Sequence, residues 1–197
     1  MVYSILITIY IIYMINLKKT ITIPLSDDDL EKYLGKEVRP NILTYSDLAD
    51  YQDLEQLLPH NKSYKIILIE YAKNRGHWIC MMRYGKIIEM FNSFGTKHDR
   101  DDMIDSKEIN NFLGQSALFL NTLIEKEIND GIFKLIYNKI RFQKKSVKVN
   151  TCGRHVVNRI ICLLHFDMTL KQYVKFMAKS EDKTKLSYDE IVSTIIH

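Results

Sequence analysis

The chain is short of cysteine, proline and net charge, and each shortage closes off a class of protein. Its 197 residues hold three cysteines, Cys80, Cys152 and Cys162. An odd set without regular spacing argues against a secreted disulfide framework and for free thiols in a reducing compartment. The three prolines, Pro24, Pro40 and Pro59, all fall in the first third, so short helices and loops are expected there. The formal net charge of +4 is too mild for the whole chain to act as a nucleic-acid binder. Internal repeats and low-complexity linkers are absent. With 46% hydrophobic and 26% charged residues, a chain of this length fits one domain around one core.

One long apolar run is present, "MVYSILITIYIIYMINL", uncharged and followed by Lys18 and Lys19. It approaches the length of a membrane span. It lacks the preceding positive charge and the small-residue cleavage site of a secretory signal. Residues 1–20 are therefore read as a hydrophobic N-terminal segment with three readings open. It is a membrane anchor whose lysines keep the rest of the chain cytoplasmic, an upstream extension of a chain that starts at Met14, or an isoleucine-rich arm packed on the domain. Residues 21–197 form the single domain.

Within that domain, "LSDDDLEKYL" has Ser26 as N-cap and acids in the first turn, and "YSDLADYQDLEQLL" repeats the pattern, so both predict small amphipathic helices. From Tyr64 the pattern turns to strands, "YKIILIEY", "HWICMMR" and "KIIEMFN", an antiparallel meander. A charged loop, "TKHDRDDMIDS", leads into a long helical stretch, "KEINNFLGQSALFLNTLIEKEI". "IFKLIYNKIRFQ" returns to strand-like alternation, and three helices follow in "CGRHVVNRIICLLHF", "TLKQYVKFMAKS" and "SYDEIVSTII". Helices flanking a small sheet make an α+β arrangement.

A hairpin turn centred on Tyr84 and Gly85 would pair Arg83 with Lys86, setting His77 opposite Asn92 and Trp78 opposite Phe91. Opposed residues share a face with Cβ atoms about 4.5 to 5.5 Å apart, within reach for an imidazole nitrogen and a carboxamide oxygen. Cys152 opens the apolar run after "NT", where the positive end of a helix lowers a thiol pKa. In a Cys–His unit the imidazole takes the thiol proton and later gives it to the leaving group, while a third residue orients the ring. Asn92 suits that third role. Gln143, at the end of the last strand-like stretch, would aim its amide at an oxyanion together with the backbone N–H of Cys152, and Gly153 would leave room for the substrate backbone. Each residue taken singly has a plainer reading, a packing thiol or a turn asparagine, and spacing alone leaves the choice open.

Cys152, His155, Cys162 and His165 mimic paired metal-ligand spacing. Ten residues of helix rise about 15 Å, so they do not converge on one tetrahedral ion. Cys80 and Cys162 read as buried small apolar residues, and His60, His98, His155, His165 and His197 as surface or core histidines. Arg154 and Arg159 either line a site or pair with acids, the second being favoured.

The series "GHW", "FNSFG" with its asparagine fifteen residues after the histidine, a glutamine, and "NTCGRH" resembles the adenovirus-protease-like cysteine proteases, the group that includes the ubiquitin-like-protein proteases. His77, Asn92, Gln143 and Cys152 are the matching positions. With asparagine as third member, "NTCGRHVVNRI" most resembles the virion-maturation proteases of virophages, large DNA viruses and Polinton (Maverick) elements. "LSDDDLEKYL" and "YSDL" also look like the opening of those proteins, and the resemblance spans residues 21–196. Gln143 stands nine residues before Cys152, a longer interval than the family pattern, and the apolar N-terminal segment lies outside that pattern.

The resemblance implies a papain-like or adenain-like fold, with a small, mostly antiparallel central sheet flanked by helices and the nucleophile at the N-terminus of a central helix. It implies a thiol endopeptidase cleaving capsid or other virion precursors after small residues such as glycine, through an acyl-enzyme on Cys152, with no metal or other cofactor. The implied partners are the precursor polypeptide and, as activator, a capsid-derived peptide or DNA, for which "QKKSVKV" offers a basic contact. The implied location is the virion and the host cytoplasm or viral factory, with membrane contact through residues 1–17 if these form an anchor. Two further classes stay open: an isopeptidase acting on ubiquitin-like modifiers of host proteins, and a non-catalytic anchored binding module with a relic site. The intact four-residue set argues against decay.

Overall fold

The computed structural model describes residues 14–96, 107–115 and 118–197. Most of the apolar N-terminal run and the charged loop with His98 lie outside the described residues. Helix α1 is described over residues 14–22. It is followed by α2 (Asp27–Leu34), a 3-10 turn (Lys36–Asn41), β1 (Ile42–Thr44), a second 3-10 turn (Ser46–Asp50) and α3 (Leu54–Leu57). Strands β2 (Tyr64–Ala72), β3 (Arg75–Tyr84) and β4 (Ile87–Phe91) form the meander. After α4 (Lys107–Phe112), α5 (Phe119–Asn129) and β5 (Lys134–Tyr137) come α6 (Cys152–Phe166), α7 (Leu170–Thr184) and α8 (Tyr188–Ile195). No described helix is long and apolar enough to cross a membrane.

Local chemistry sets the helix starts. Ser26, Thr169 and Ser187 each cap the third residue of the following helix, and Asp29, Gln172 and Glu190 return a bond to the cap, giving three capping boxes. Helix α6 ends where Asp167 turns left-handed (φ 52°) and its N–H meets the Cys162 and Leu163 carbonyls.

The five strands run in the order β1-β2-β3-β4-β5. The central three are antiparallel, as the sequence predicts, and β1 and β5 add parallel partners at the two edges. The sheet is covered on both faces, which is why its strands read as almost continuous apolar runs. Trp78, Cys80, Met82 and Phe91 face Val156, Val157 and Ile160 of α6. Ile79, Met81, Ile88 and Met90 face Leu54, Leu57, Leu120 and Ile124 on the other side. Every residue of α6 from Cys152 to Ile160 is buried, so this helix is the central post of the domain.

The hairpin register differs from the sequence expectation. Tyr84 pairs with Ile87, and Arg83 with Ile88 rather than Lys86. The turn is therefore Gly85–Lys86, one residue later, and the ladder slides by two. Gly85 has φ 60° while Lys86 keeps a negative φ, the pattern of a type II′ turn, which wants glycine first. A slip of two leaves every side chain on its expected face. His77 thus reaches Asn92 on the diagonal rather than directly across, and Phe91 sits opposite Cys80 instead of Trp78.

Two other elements are shorter than expected. The helical stretch from Lys107 breaks between α4 and α5, where Gly114 adopts φ 69°. The last strand ends at Tyr137, so Gln143 is not on it. Asn138 turns the chain away: its Oδ1 accepts from the Asn92 N–H at 2.9 Å, and its Nδ2 donates to the carbonyls of Asn92 at 2.7 Å and Ile140 at 3.0 Å.

Arg159 pairs with an acid, Glu89, in the core. Arg154 instead donates to two backbone carbonyls, Ile23 and Ile196, and so ties both flanks of the domain to the first turn of α6. His155 is buried, whereas His60, His165 and His197 are exposed.

Candidate active site

Strand β3 brings His77 to the edge of the core, and the turn after β4 brings Asn92 against it. The His77 Nε2 lies 2.9 Å from the Asn92 Oδ1. The same oxygen accepts the Phe94 N–H at 3.0 Å, and the Asn92 Nδ2 donates to the Thr96 hydroxyl at 2.8 Å. A backbone N–H only donates, so the atom it meets is the amide oxygen, and the imidazole must present N–H at Nε2. The ring's lone pair is then on Nδ1. Phe94 stacks on the imidazole, centroids 4.3 Å apart and planes 11° from parallel, fixing the ring from its flat side.

Cys152 is the first residue of α6 and only 6% exposed. Burial pushes its thiol above the ordinary value, and the backbone N–H groups of Trp78, Gly153 and Cys152 itself offset only part of this. The sequence expectation of a thiol lowered by the helix start is therefore corrected. The dipole acts, but Leu25 and Trp78 pack against the helix start and leave the sulfur little of the solvation a thiolate needs. Trp78, which packs on the helix start and shares the groove wall with Cys152, is the strand neighbour of His77.

Gly153 does not leave space for a substrate backbone. A Cβ there would stand 3.0 Å from the Leu25 Cβ and 3.2 Å from the Trp78 Cδ1. Its role is close packing of the helix start against residues that wall the site. Trp78 is held in turn by its indole N–H on the Leu25 carbonyl at 3.0 Å.

Gln143 is buried, its Oε1 accepting from the Ser93 hydroxyl at 2.8 Å and its Nε2 donating to the Val149 carbonyl at 3.0 Å. A carbonyl only accepts, so the NH2 end is identified, and one of its two N–H bonds is used by Val149. Its backbone N–H also meets the Ser93 carbonyl. The residues following Asn92 therefore orient the glutamine as well as the imidazole. Sequence reasoning passed over Ser93, Phe94 and Asn138. The first two stand in the quoted "FNSFG" but signalled only a turn, and Asn138 had no signal beyond being an asparagine after a strand.

A groove of about 980 Å³ runs past Cys152, its walls including Leu25, Ser26, Thr44, Gly76, Trp78 and Asn150. Among the described residues no cluster of three or more histidine, cysteine or acidic side chains is placed to hold a metal.

Burial holds His77 down to about 4, against an upward pull from Asn92 and with a further downward push from His155. At neutral pH the His77 imidazole and the Cys152 thiol are thus both uncharged, so in a thiol mechanism proton transfer would have to accompany attack. A base with a lowered pKa keeps its competent, unprotonated form into mild acid. If His77 serves as a general base, the acid limb of kcat/KM against pH, which reports the free enzyme, is expected near pH 4. A limb at 6.5 or above would show that His77 is not the base or is not buried in the working enzyme.

No established family profile matches the chain. It is 31% identical over 176 residues to the uncharacterized protein V9 of Sputnik virophage, an alignment covering 88% of this chain and 94% of that protein. Among solved structures, the ASFV pS273R protease superposes with a TM-score of 0.50 over 89% of this chain and 67% of that one, at 13% identity. At that identity the likeness is one of fold, and it agrees with the α+β architecture described above. A looser likeness, TM-score 0.39 at 15% identity, covers 88% of this chain and 78% of the SUMO protease Ulp1.

Proposed function

The chain belongs to the family of the Sputnik virophage protein V9, and from that premise we propose that it is a cysteine endopeptidase that cleaves virion precursor proteins during maturation. The carrying observation is the His77–Asn92 contact, which commits Nε2 and leaves Nδ1 to take a proton, on the strand whose next residue, Trp78, packs on the helix start that carries Cys152. In this reading Cys152 is the nucleophile, His77 the general base and then acid, and Asn92 the residue that fixes the ring. Gln143 Nε2 and the Cys152 N–H receive the oxyanion. The thiol attacks the scissile carbonyl as its proton passes to His77. The imidazolium then protonates the departing amine, and water, deprotonated by the same ring, releases the acyl group.

A protease fold in a virophage family favours a virion precursor over a host modifier as substrate. Such an enzyme works in the virion and in the viral factory of the host cytoplasm. Exposed Lys144, Lys145 and Lys148 support contact with an activating polyanion, and an anchoring role for residues 1–17 belongs to the same proposal.

The test is incubation of the purified chain with the capsid precursor encoded in the same genome and, separately, with a ubiquitin-like fusion, each with and without DNA and a peptide from the precursor. Cleavage of the precursor at discrete sites is the expected result. Cleavage of the fusion alone would replace this reading with that of an isopeptidase, and cleavage of neither under any of these conditions would remove it.

A further inference from the structure

The nine-residue interval between Gln143 and Cys152 raises a problem that the C-terminal helix answers. An oxyanion held between Gln143 Nε2 and the Cys152 N–H needs both donors fixed to within a fraction of an ångström. Between them runs a solvent-exposed loop whose Val147 is 94% exposed. Asp189, in the first turn of α8 and 6% exposed, closes the neck of that loop. Its Oδ2 accepts the backbone N–H of Lys144, the residue after Gln143, at 2.9 Å. Its Oδ1 accepts the hydroxyl of Thr151, the residue before Cys152, and lies 3.1 Å from the Nε2 of His155, one turn into α6. Among the described residues the buried Nδ1 of His155 has no hydrogen-bond partner, so the bond to Asp189 is what orients that ring.

The geometry points to Asp189 as a positioning residue that holds the oxyanion-binding glutamine in register with the nucleophile. This inference rests on the protease reading and goes beyond it. One carboxylate grips the residue next to each donor, on the loop side of both, and charge-assisted acceptance makes each grip stiffer than a neutral contact. An asparagine at 189 fits the same space but offers a single acceptor oxygen, so it cannot serve Lys144, Thr151 and His155 as they now stand.

The experiment is a double-mutant cycle of Asp189→Asn with Gln143→Ala in the full chain, read by kcat and KM on the precursor. It is paired with the rate at which iodoacetamide alkylates Cys152, followed by mass spectrometry. Alkylation forms no oxyanion. Asp189→Asn is expected to lower kcat by about 10-fold to 100-fold, somewhat less than loss of an oxyanion donor outright. KM and the alkylation rate should stay within about threefold. Added to Gln143→Ala it is expected to cost almost nothing more, because residues acting as one unit are not additive.

An unchanged kcat, full additivity with Gln143→Ala, or a parallel loss of alkylation would overturn the inference and leave the protease reading in place. Absence of any Cys152-dependent turnover in the native chain would overturn both. If Asp189→Asn fails to fold, Thr151→Val, which removes one of the three grips, carries the same cycle with the same criteria.

Discussion

Replacing Cys152, the proposed nucleophile, by alanine is expected to reduce turnover of the proposed precursor substrate by about 10⁴-fold or more, the scale seen when one member of a catalytic unit is removed. Gln143 Nε2, the backbone N–H at position 152 and the groove would survive the change, so what remains in the proposed mechanism is the modest acceleration that binding and charge stabilisation give to attack by water. Serine should not restore the rate. The hydroxyl would occupy the thiol's place, but burial that already raises the thiol pKa weighs more heavily on an alkoxide, and the imidazole held near 4 is a weak base for it. His77→Ala should match Cys152→Ala, and the double variant should be no worse than either alone. Initial rates of precursor cleavage decide the matter: turnover of Cys152→Ala within tenfold of the native chain would remove Cys152 from the chemistry.

The second large effect lies in the core and concerns stability. Arg159 and Glu89 form a two-point ion pair with both side chains at 0% exposure, at 2.7 and 2.6 Å. The Tyr84 hydroxyl donates to the same carboxylate at 2.8 Å, and the guanidinium lies 5.2 Å from the centre of the Tyr173 ring. Glu89→Ala strands a fully buried guanidinium whose Nη1 has no hydrogen-bond partner among the described residues, and it takes the carboxylate acceptor from Tyr84. A loss of about 3–5 kcal/mol is expected, which is a large share of the roughly 5–15 kcal/mol that holds a domain of this kind together. Urea unfolding is the check. Replacing both partners at once, Glu89→Leu with Arg159→Met, is expected to recover most of the loss, since it removes the stranded charge along with the attraction. A single variant costing under about 1 kcal/mol would mean that water reaches the pair.

Most of the architecture was legible because its cues are local. The capping serines, the apolar period of α6 to α8 and the strand runs of the meander each follow from neighbouring residues. The parallel edge strands were not. β1 has three residues and β5 four, too few to carry a period, and their pairing is a fact of tertiary packing. The hairpin was placed one residue early because Tyr84–Gly85 and Gly85–Lys86 both look like turns until the demand for glycine at the first position is applied. The contact between His77 and Asn92 survived that slip because a shift of two preserves the face. The ionisation of Cys152 was misjudged for a different reason. Its helix position can be read from sequence, whereas the covering by Leu25 and Trp78 cannot. Asp189 escaped notice because an acid in the first turn of an amphipathic helix needs no explanation beyond the helix dipole.

The loop from Lys145 to Asn150 has a consequence for how this chain tolerates change. Asp189 grips both of its ends at the neck, but Val149 within it accepts from Gln143 Nε2 and Asn150 is tied to Ile21 and Thr22, so its C-terminal half belongs to the site and only its N-terminal end is spare. A peptide inserted between Ser146 and Val147 would break the turn in which Ser146 accepts the Lys148 and Val149 N–H groups and so shift the carbonyl that Gln143 uses, whereas a short epitope placed between Lys145 and Ser146 would leave that turn whole and ride on the surface.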